Sequence, residues 1–345
     1  MTRTRALRSC AVAVLALACA GGSAAQTSRL TYRDEFPLDY SAGVRATGMG
    51  ETGVADNTDP GGLFFNPANV VAPPRVYLRG SYWKWYDDPA EKAGGVGGSW
   101  AGSWGSRPLA LGVDFTATTL DWGVDTVRTI FFPQGILTEI PDRTFWSLTA
   151  GAGILLDDRW DLRLGVAARR YGESDGRREG FGFDAGTTLA YRAVTSGWRV
   201  TPAAAVAFTN LGPPVEETDF YIVELPTRFN YGFSVRIESP PVRLHGASLP
   251  LLAVTCNLDG VDRFYGAPSR WGFGSEFSLA EVLFFRVGAV HDEKLHDEQA
   301  SASTASSLGF GLGLPVHSFR VRLDYAKLPN RPDTNHYGVW AAVSF

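Results

Sequence analysis

Apolar and polar residues alternate with a period of two along most of the chain after residue 75. In one example, Phe229, Tyr231, Phe233, Val235 and Ile237 alternate with Arg228, Asn230, Gly232, Ser234 and Arg236. This period places apolar side chains on one face of a β-strand and polar side chains on the other. The pattern therefore predicts strands that separate an apolar surface from a polar one.

Fourteen such segments are predicted, at 75–86, 93–104, 109–120, 143–156, 160–171, 180–192, 198–210, 227–238, 248–257, 270–278, 282–290, 306–314, 319–326 and 337–345. Most are long enough to cross a membrane as tilted strands, which takes about 9–11 residues. Odd-numbered connections are mostly long and even-numbered ones mostly short, as in outer-membrane barrels with long external loops and short periplasmic turns. We therefore expect an all-β protein, a 14-stranded antiparallel transmembrane β-barrel. A soluble sandwich or propeller is the alternative, but its strands would average about 5–6 residues.

The first residues resemble a secretory signal peptide. Arg3, Arg5 and Arg8 form a basic region, 11–20 is apolar, and 23–25 offers small residues for cleavage. The apolar stretch is shorter than the roughly 20 residues of a membrane helix. Cys19 leaves a lipoprotein signal as an alternative. The sequence thus predicts export and insertion in the outer membrane of a Gram-negative-type bacterium.

Composition removes several functional classes. A formal charge of −4 argues against nucleic acid as a partner. After processing only Cys256 remains, so no intramolecular disulfide is expected. The five histidines lie outside any Gly-x-Ser-x-Gly or metal-spaced motif. We therefore predict no catalytic residue, no metal site, no cofactor and no enzymatic activity.

Short motifs resemble one family of barrels. Residues 43–50, Asp56 and 66–68 resemble the G-x-R-x-x-G-M-G…D…N-P-A signature of the PorV/PorQ family, relatives of the FadL-type long-chain fatty acid transporters. Residues 210–214, 225–229, 283–288 and 324–326 resemble later motifs of the same family in the same order. The resemblance implies a 14-stranded barrel with an N-terminal plug. The expected domains are a signal peptide at 1–25, a plug at 26–74 and a barrel at 75–345.

Two sets of residues are candidates for a functional role. The plug or gating candidates are Arg45, Gly48, Gly50, Asp56, Asn66 and Pro67, where the glycines serve either close packing or a hinge. The expected lumen charge network comprises Arg163, Arg169, Asp184, Arg228, Arg236, Glu276, Arg286, Arg320, Arg322 and Asp324. Buried charges must be paired or solvated, so a structural network is one interpretation. The other is that the arginines hold an acidic ligand headgroup. We also expect the acidic excess of the plug to dock on these arginines.

Aromatic residues suggest contacts with lipid and with ligands. Most of the ten tryptophans lie near predicted strand ends, which is typical of the girdles at membrane interfaces. The predicted external loop 211–226 contains the apolar run Phe220, Tyr221 and Ile222 among acidic residues. This run is a ligand uptake patch, a contact for secreted cargo, or simple loop packing.

The family resemblance implies two functions. FadL-like proteins carry hydrophobic molecules across the outer membrane, whereas PorV-like proteins bind secreted cargo in type IX secretion. We predict transport of small hydrophobic molecules, with a protein-binding barrel of a type IX-like secretion system as the alternative. The expected partners are outer-membrane lipid, the barrel-assembly machinery through the C-terminal strand ending at Phe345, and a hydrophobic ligand or a secreted protein.

Overall fold

The computed structural model describes most of the chain after residue 43. The described residues are 30–31, 43–72, 75–85, 90–104, 107–121, 124–127, 136–139, 142–174, 176, 179–214, 216–217, 221–223, 225–244, 246–264, 269–292, 303–328 and 334–344. The predicted signal peptide, Phe220 and Phe345 lie outside them. Tyr221 and Ile222 are described only as part of a short strand.

Fourteen long strands form one closed antiparallel sheet, which confirms the predicted fold. The strands are β1 (Arg75–Trp85), β2 (Ala90–Trp104), β3 (Arg107–Asp121), β4 (Arg143–Leu155), β5 (Trp160–Glu173), β6 (Glu179–Tyr191), β7 (Trp198–Leu211), β8 (Arg228–Glu238), β9 (Leu252–Arg263), β10 (Arg270–Leu279), β11 (Leu283–Asp292), β12 (Ser303–Val316), β13 (Phe319–Leu328) and β14 (Thr334–Ser344). Each pairs with its neighbours in sequence, and β14 pairs with β1 from Arg75↔Ser344 to Trp85↔Thr334. Closure leaves no unpaired sheet edge, as a membrane requires.

Side chains alternate between the lumen and the outer surface along each strand. In β5, Leu164 and Val166 are exposed on the outside, whereas Arg163 and Arg169 are buried on the inside. Most large exposed apolar side chains of the barrel strands lie on this outer surface. The outer surface therefore suits lipid, and the polar groups face inward.

The connections differ in length at the two ends of the barrel. We call the end where Arg75 begins β1 and Ser344 ends β14 the terminal end. Here two residues join β12 to β13, and three join β10 to β11. Residues 122–142 and 212–227 connect strands at the opposite end. This is the predicted alternation of short and long connections.

Several boundaries differ from those predicted. The ninth strand covers Leu252–Arg263 rather than 248–257. The residues Ala247–Pro250 instead pair with Pro241–Leu244 in a hairpin at the terminal end. Pro250 has no N–H to donate to a ladder, so the long alternation is divided at this point. A second hairpin pairs Val124–Val127 with Ile136–Glu139 inside the predicted loop after β3.

Four further short strands accompany the barrel in the described part of the chain. Ala193–Thr195 pairs with β7. Leu30–Thr31 pairs in parallel with Tyr221–Val223, which pairs in turn with Glu216–Glu217. The last pair lies within the predicted external loop 211–226.

Residues 43–72, called the luminal segment below, lie against the inner wall and are almost all buried. The segment contains the helix α1 (Val44–Gly48) and two 3₁₀-helices, Pro60–Phe64 and Pro67–Val70. Each 3₁₀-helix begins at a proline, and the preceding Asp59 or Asn66 accepts a hydrogen bond from a backbone N–H of its first turn. These are strong local signals for a helix start. Among the described residues, none of the helices is long and apolar enough to span a membrane.

Candidate functional site

Glycines let the luminal segment lie directly on the barrel wall. A Cβ at Gly165 would overlap the backbone of Pro67 and Ala68, and one at Gly288 would overlap Met49 and Gly50. Gly50 itself has a φ of +66°, which glycine adopts without steric cost. At these glycines backbone therefore packs on backbone, with no side chain between the two.

Adding a single methyl group at Gly165 is expected to displace the luminal segment. Gly165→Ala should increase cleavage of residues 43–72 by an added protease several-fold, because the new Cβ occupies the position of the Pro67–Ala68 backbone. Gly102→Ala is the matched control, since no atom lies within 4 Å of a Cβ there. Equal cleavage of the two variants would contradict the close contact.

Seven charged side chains join the luminal segment to the wall, and we call them the central ion network. They are Arg45, Asp56 and Asp59 from the segment and Glu276, Arg286, Arg322 and Asp324 from the wall. Arg45 donates two hydrogen bonds to Glu276, at 2.9 and 3.0 Å, and one to Asp56 at 2.6 Å. Both carboxylate oxygens of Glu276 therefore bind the planar guanidinium group, a geometry that lysine cannot reproduce.

The network continues along the wall and returns to the segment. Arg286 donates to Glu276 and to Asp324, each at 2.7 Å. Arg322 donates to Asp324 at 2.7 Å and also binds Asp59 of the segment. The luminal segment is thus held to the wall at two points. At one, its basic Arg45 binds Glu276, and at the other, its acidic Asp59 binds Arg322.

Asp59 belongs to the luminal segment and not to a membrane-spanning strand. Burial by itself raises the pKa of its carboxyl group. Arg322, Arg45 and the N–H of Gly61 outweigh burial and lower that pKa to about 2. Asp59 is therefore ionised at neutral pH and presents a full negative charge to Arg322.

The acids of the segment do not all dock on the arginines as predicted. Asp59 binds Arg322, and Glu51 binds Arg270 of β10. Asp56, however, binds Arg45 of the same segment. A basic group of the segment, Arg45, also attaches it to the wall, through two hydrogen bonds to Glu276.

The remaining predicted lumen charges form separate groups rather than one network. Arg163 bonds Asp161 at 2.6 Å, and Arg169 contacts Asp184 and bonds Asn210. Arg228 lies within electrostatic range of Asp184. Arg236 and Arg320 lie at the terminal end, where they bond Glu238 at 3.0 Å and Glu281 at 2.5 Å. Of the seven predicted arginines, only Arg286 and Arg322 join the central ion network.

Other side chains of the wall also form hydrogen bonds with the luminal segment. The Oδ2 of Asp259 accepts hydrogen bonds from the N–H groups of Gly53 and Val54 at 2.5 and 2.9 Å. Asn230 donates to the carbonyl of Phe65 at 2.8 Å, and Ser307 accepts from the N–H of Gly50 at 2.8 Å. Asn66, one of the predicted plug residues, donates to the hydroxyl of Thr188 at 3.0 Å.

Sequence reasoning missed Asp259 because it placed this residue in a loop. The signal was present, since Asn257, Asp259 and Val261 continue the inward positions of β9 beyond the predicted end. It also began the last strand at residue 337, which left His336 in the connection before it. His336 instead lies fully buried in β14, where it stacks on Trp83 at 4.9 Å and its Nδ1 lies 2.9 Å from the hydroxyl of Thr47.

Two other expectations need correction. Trp83 and Trp340 face the lumen, whereas Trp100, Trp146 and Trp271 are exposed on the outer surface as a girdle requires. The alternation along 306–314 also predicts that Gly309, Gly311 and Gly313 face inward and leave room for the segment. Of these three, only Gly309 faces it, against Gly48. Gly311 faces Asp324 and Arg286, and Gly313 faces the carbonyl of Glu281.

In the described part of the chain, no group of three or more His, Cys, Asp or Glu residues is placed to hold a metal ion. A comparison with known protein families found no model that matches the chain. A comparison with curated protein sequences also found no match. The narrower PorV/PorQ resemblance therefore stays a prediction.

Solved structures similar to this chain include a hydrocarbon channel, a FadL homologue and the β domain of an autotransporter. The CymD monoaromatic hydrocarbon channel is 13% identical with a TM-score of 0.49, over 90% of this chain and 99% of CymD. A Pseudomonas aeruginosa FadL homologue is 9% identical with a TM-score of 0.46, over 88% of this chain and 98% of the homologue. The β domain of the Bordetella autotransporter BrkA is 14% identical with a TM-score of 0.43, over 79% of this chain and all of that domain. The barrel assignment itself rests on the strand pairing described above.

Proposed function

We propose that the protein lets small hydrophobic molecules cross the outer membrane, with the luminal segment as the gate. The observation that carries this proposal is the chemistry of the contact between segment and wall. Ion pairs and hydrogen bonds cross it at several places, and water can replace such partners when the segment moves. A polar attachment of this kind supports reversible release.

The space around the luminal segment also supports a gate. Two cavities between the described segment and wall measure about 40 and 70 Å³. A cavity that binds benzene in a protein core is larger, at about 150 Å³. A small aromatic or aliphatic passenger therefore requires the segment to shift before it can cross by the lumen.

Placement in the outer membrane is part of the proposal. The closed sheet, the apolar outer surface and the outward tryptophans support it, as does the predicted export signal. The alternative of a secreted-protein partner stays a prediction, because Phe220 lies outside the described residues and Tyr221 and Ile222 are described only as part of a strand.

Uptake by whole cells tests the proposal. Cells that produce the protein in their outer membrane should accumulate a labelled monoaromatic hydrocarbon several-fold faster than matched cells without it. A labelled disaccharide is the control, because a gated path for apolar molecules should not admit a hydrophilic solute. Equal uptake of both compounds would indicate an open aqueous pore, and no increase for either would remove transport as the function.

A further inference from the structure

A second cavity of the lumen lies at the terminal end, and we call it the mouth cavity. It measures about 70 Å³ and lies between Thr58 of the luminal segment and the wall. The charged residues that line it are Arg75, Arg236, Arg320, Arg322, Glu276 and Glu281. Four arginines thus face two glutamates in a space that holds a few water molecules or one small ligand group.

The acidic groups of the mouth cavity are already bound. Glu276 accepts hydrogen bonds from Arg45 and Arg286, and Glu281 accepts one from Arg320. Among the cations, Arg322 binds Asp324 and Asp59, while Arg236 binds Glu238. This leaves Arg75 as the residue whose charge has no matching acid among those lining the cavity.

Arg75 is more than nine-tenths buried, with 8% of its surface exposed. Its described contacts are with aromatic rings, since its guanidinium carbon lies 5.6 Å from the centre of Tyr77 and 5.5 Å from that of Trp340. Arg320 and Arg322 are near enough to repel it, and the attracting carboxylate of Asp59 is held by Arg322. A buried cation without a bound anion is costly, so the cavity favours a negative ligand.

Three N–H donors on residues of the mouth cavity have no acceptor within the described structure. They are the Nε of Arg75, the Nε of Arg320 and the Nε1 of Trp340. Buried donors in proteins nearly always have a partner. Three such donors, and no buried side-chain acceptor without a partner among the lining residues, indicate a ligand that accepts hydrogen bonds.

We propose that the mouth cavity binds an oxyanion, the carboxylate or phosphate group of a small molecule. Either group presents several acceptor oxygens, matches the fork of an arginine side chain and fits the available volume. The ligand group would bind Arg75 and Arg320 and would accept a hydrogen bond from Trp340. Passage of neutral hydrophobic molecules does not need this site, so the inference goes beyond the proposed function.

Binding to the full-length protein in nonionic detergent tests the proposal. Isothermal titration is made at constant ionic strength with inorganic phosphate in one arm and octanoate in the other. At least one probe should bind saturably, and Arg75→Gln should weaken that binding about tenfold or more. Arg243→Gln is the matched control, because Arg243 is exposed on the hairpin at the same end. Its affinity should equal that of the unaltered protein.

The two arms identify the source of the oxyanion. Binding of phosphate alone indicates a phosphate group, binding of octanoate alone indicates the carboxylate of an amphipathic molecule, and binding of both indicates a shared site. Arg75→Lys keeps the charge without the fork and should bind with intermediate affinity, which shows that a loss in Arg75→Gln is not a folding defect. Absence of saturable binding in both arms, or equal binding by Arg75→Gln and the unaltered protein, would overturn the proposal.

Discussion

Uptake of a labelled hydrocarbon is expected to fall to the background level when the luminal segment is fixed to β14 by a disulfide. The substitutions are Val44→Cys and Gly338→Cys, because a Cβ at Gly338 lies 3.4 Å from the Cβ of Val44. This separation is close to the roughly 3.5–4.5 Å between the Cβ atoms of a disulfide. The fixed segment keeps the lumen filled, so a passenger has no path through it. Uptake by whole cells is measured with the crosslinked fraction of the same cells.

The same cells provide the control for this lock. Cys256 is an exposed free thiol, so both cysteines are introduced in a Cys256→Ser background. Of the two single-cysteine variants, Val44→Cys is the control and should transport normally, because a Cβ at Gly338 beside an intact Val44 would lie 2.6 Å from its Cγ2. Adding a reductant to the double variant should restore uptake, since the protein is otherwise unchanged. Full uptake with a completely formed crosslink would show that molecules cross without movement of the segment.

Arg45→Met is expected to release the luminal segment. Arg45 binds both Glu276 and Asp56, so the substitution removes the cation that these two acids share. Removing one member of a buried ion pair costs about 3–5 kcal/mol. Hydrogen exchange of the amides of residues 43–72 should therefore accelerate by more than a hundredfold, whereas exchange in the barrel strands should change little.

Two other variants define the cause of that effect. Arg199→Met removes an exposed arginine that bonds Glu238 at 3.3 Å, and a surface pair contributes only about 0–1 kcal/mol. Exchange in the segment should then stay as in the unaltered protein. Arg45→Lys keeps the charge but loses the two-point contact with Glu276, so exchange should be intermediate. If Arg45→Met and Arg199→Met exchange alike, the network does not hold the segment.

The barrel could be predicted because its pattern is local. The alternation along β5 assigns Arg163 and Arg169 to one face and Leu164 to the other without any knowledge of the neighbouring strands. A failure occurred where local signals were ambiguous. The run before Pro250 has the alternation of a barrel strand, but it forms a hairpin, and the strand continues instead through Asp259.

The partners of the lumen charges could not be predicted in this way. Arg320 and Arg322 are the same type of residue, lie on the same face of β13 and belong to the same alternating run of residues. Arg322 binds Asp59 of the luminal segment, whereas Arg320 binds Glu281 of a turn at the terminal end. Only the path of the segment through the lumen distinguishes the two arginines.

By itself the sequence determined the number of strands, the inward and outward faces and the alternation of short and long connections. These follow from the two-residue repeat of an extended chain, which acts over neighbouring positions. The tertiary structure decided which charges meet, because those contacts join residues far apart in the chain. Arg45 and Glu276 are separated by 231 positions, and Asp59 and Arg322 by 263. Closure of the barrel around the luminal segment brings them within hydrogen-bonding distance, and no local pattern encodes that juxtaposition.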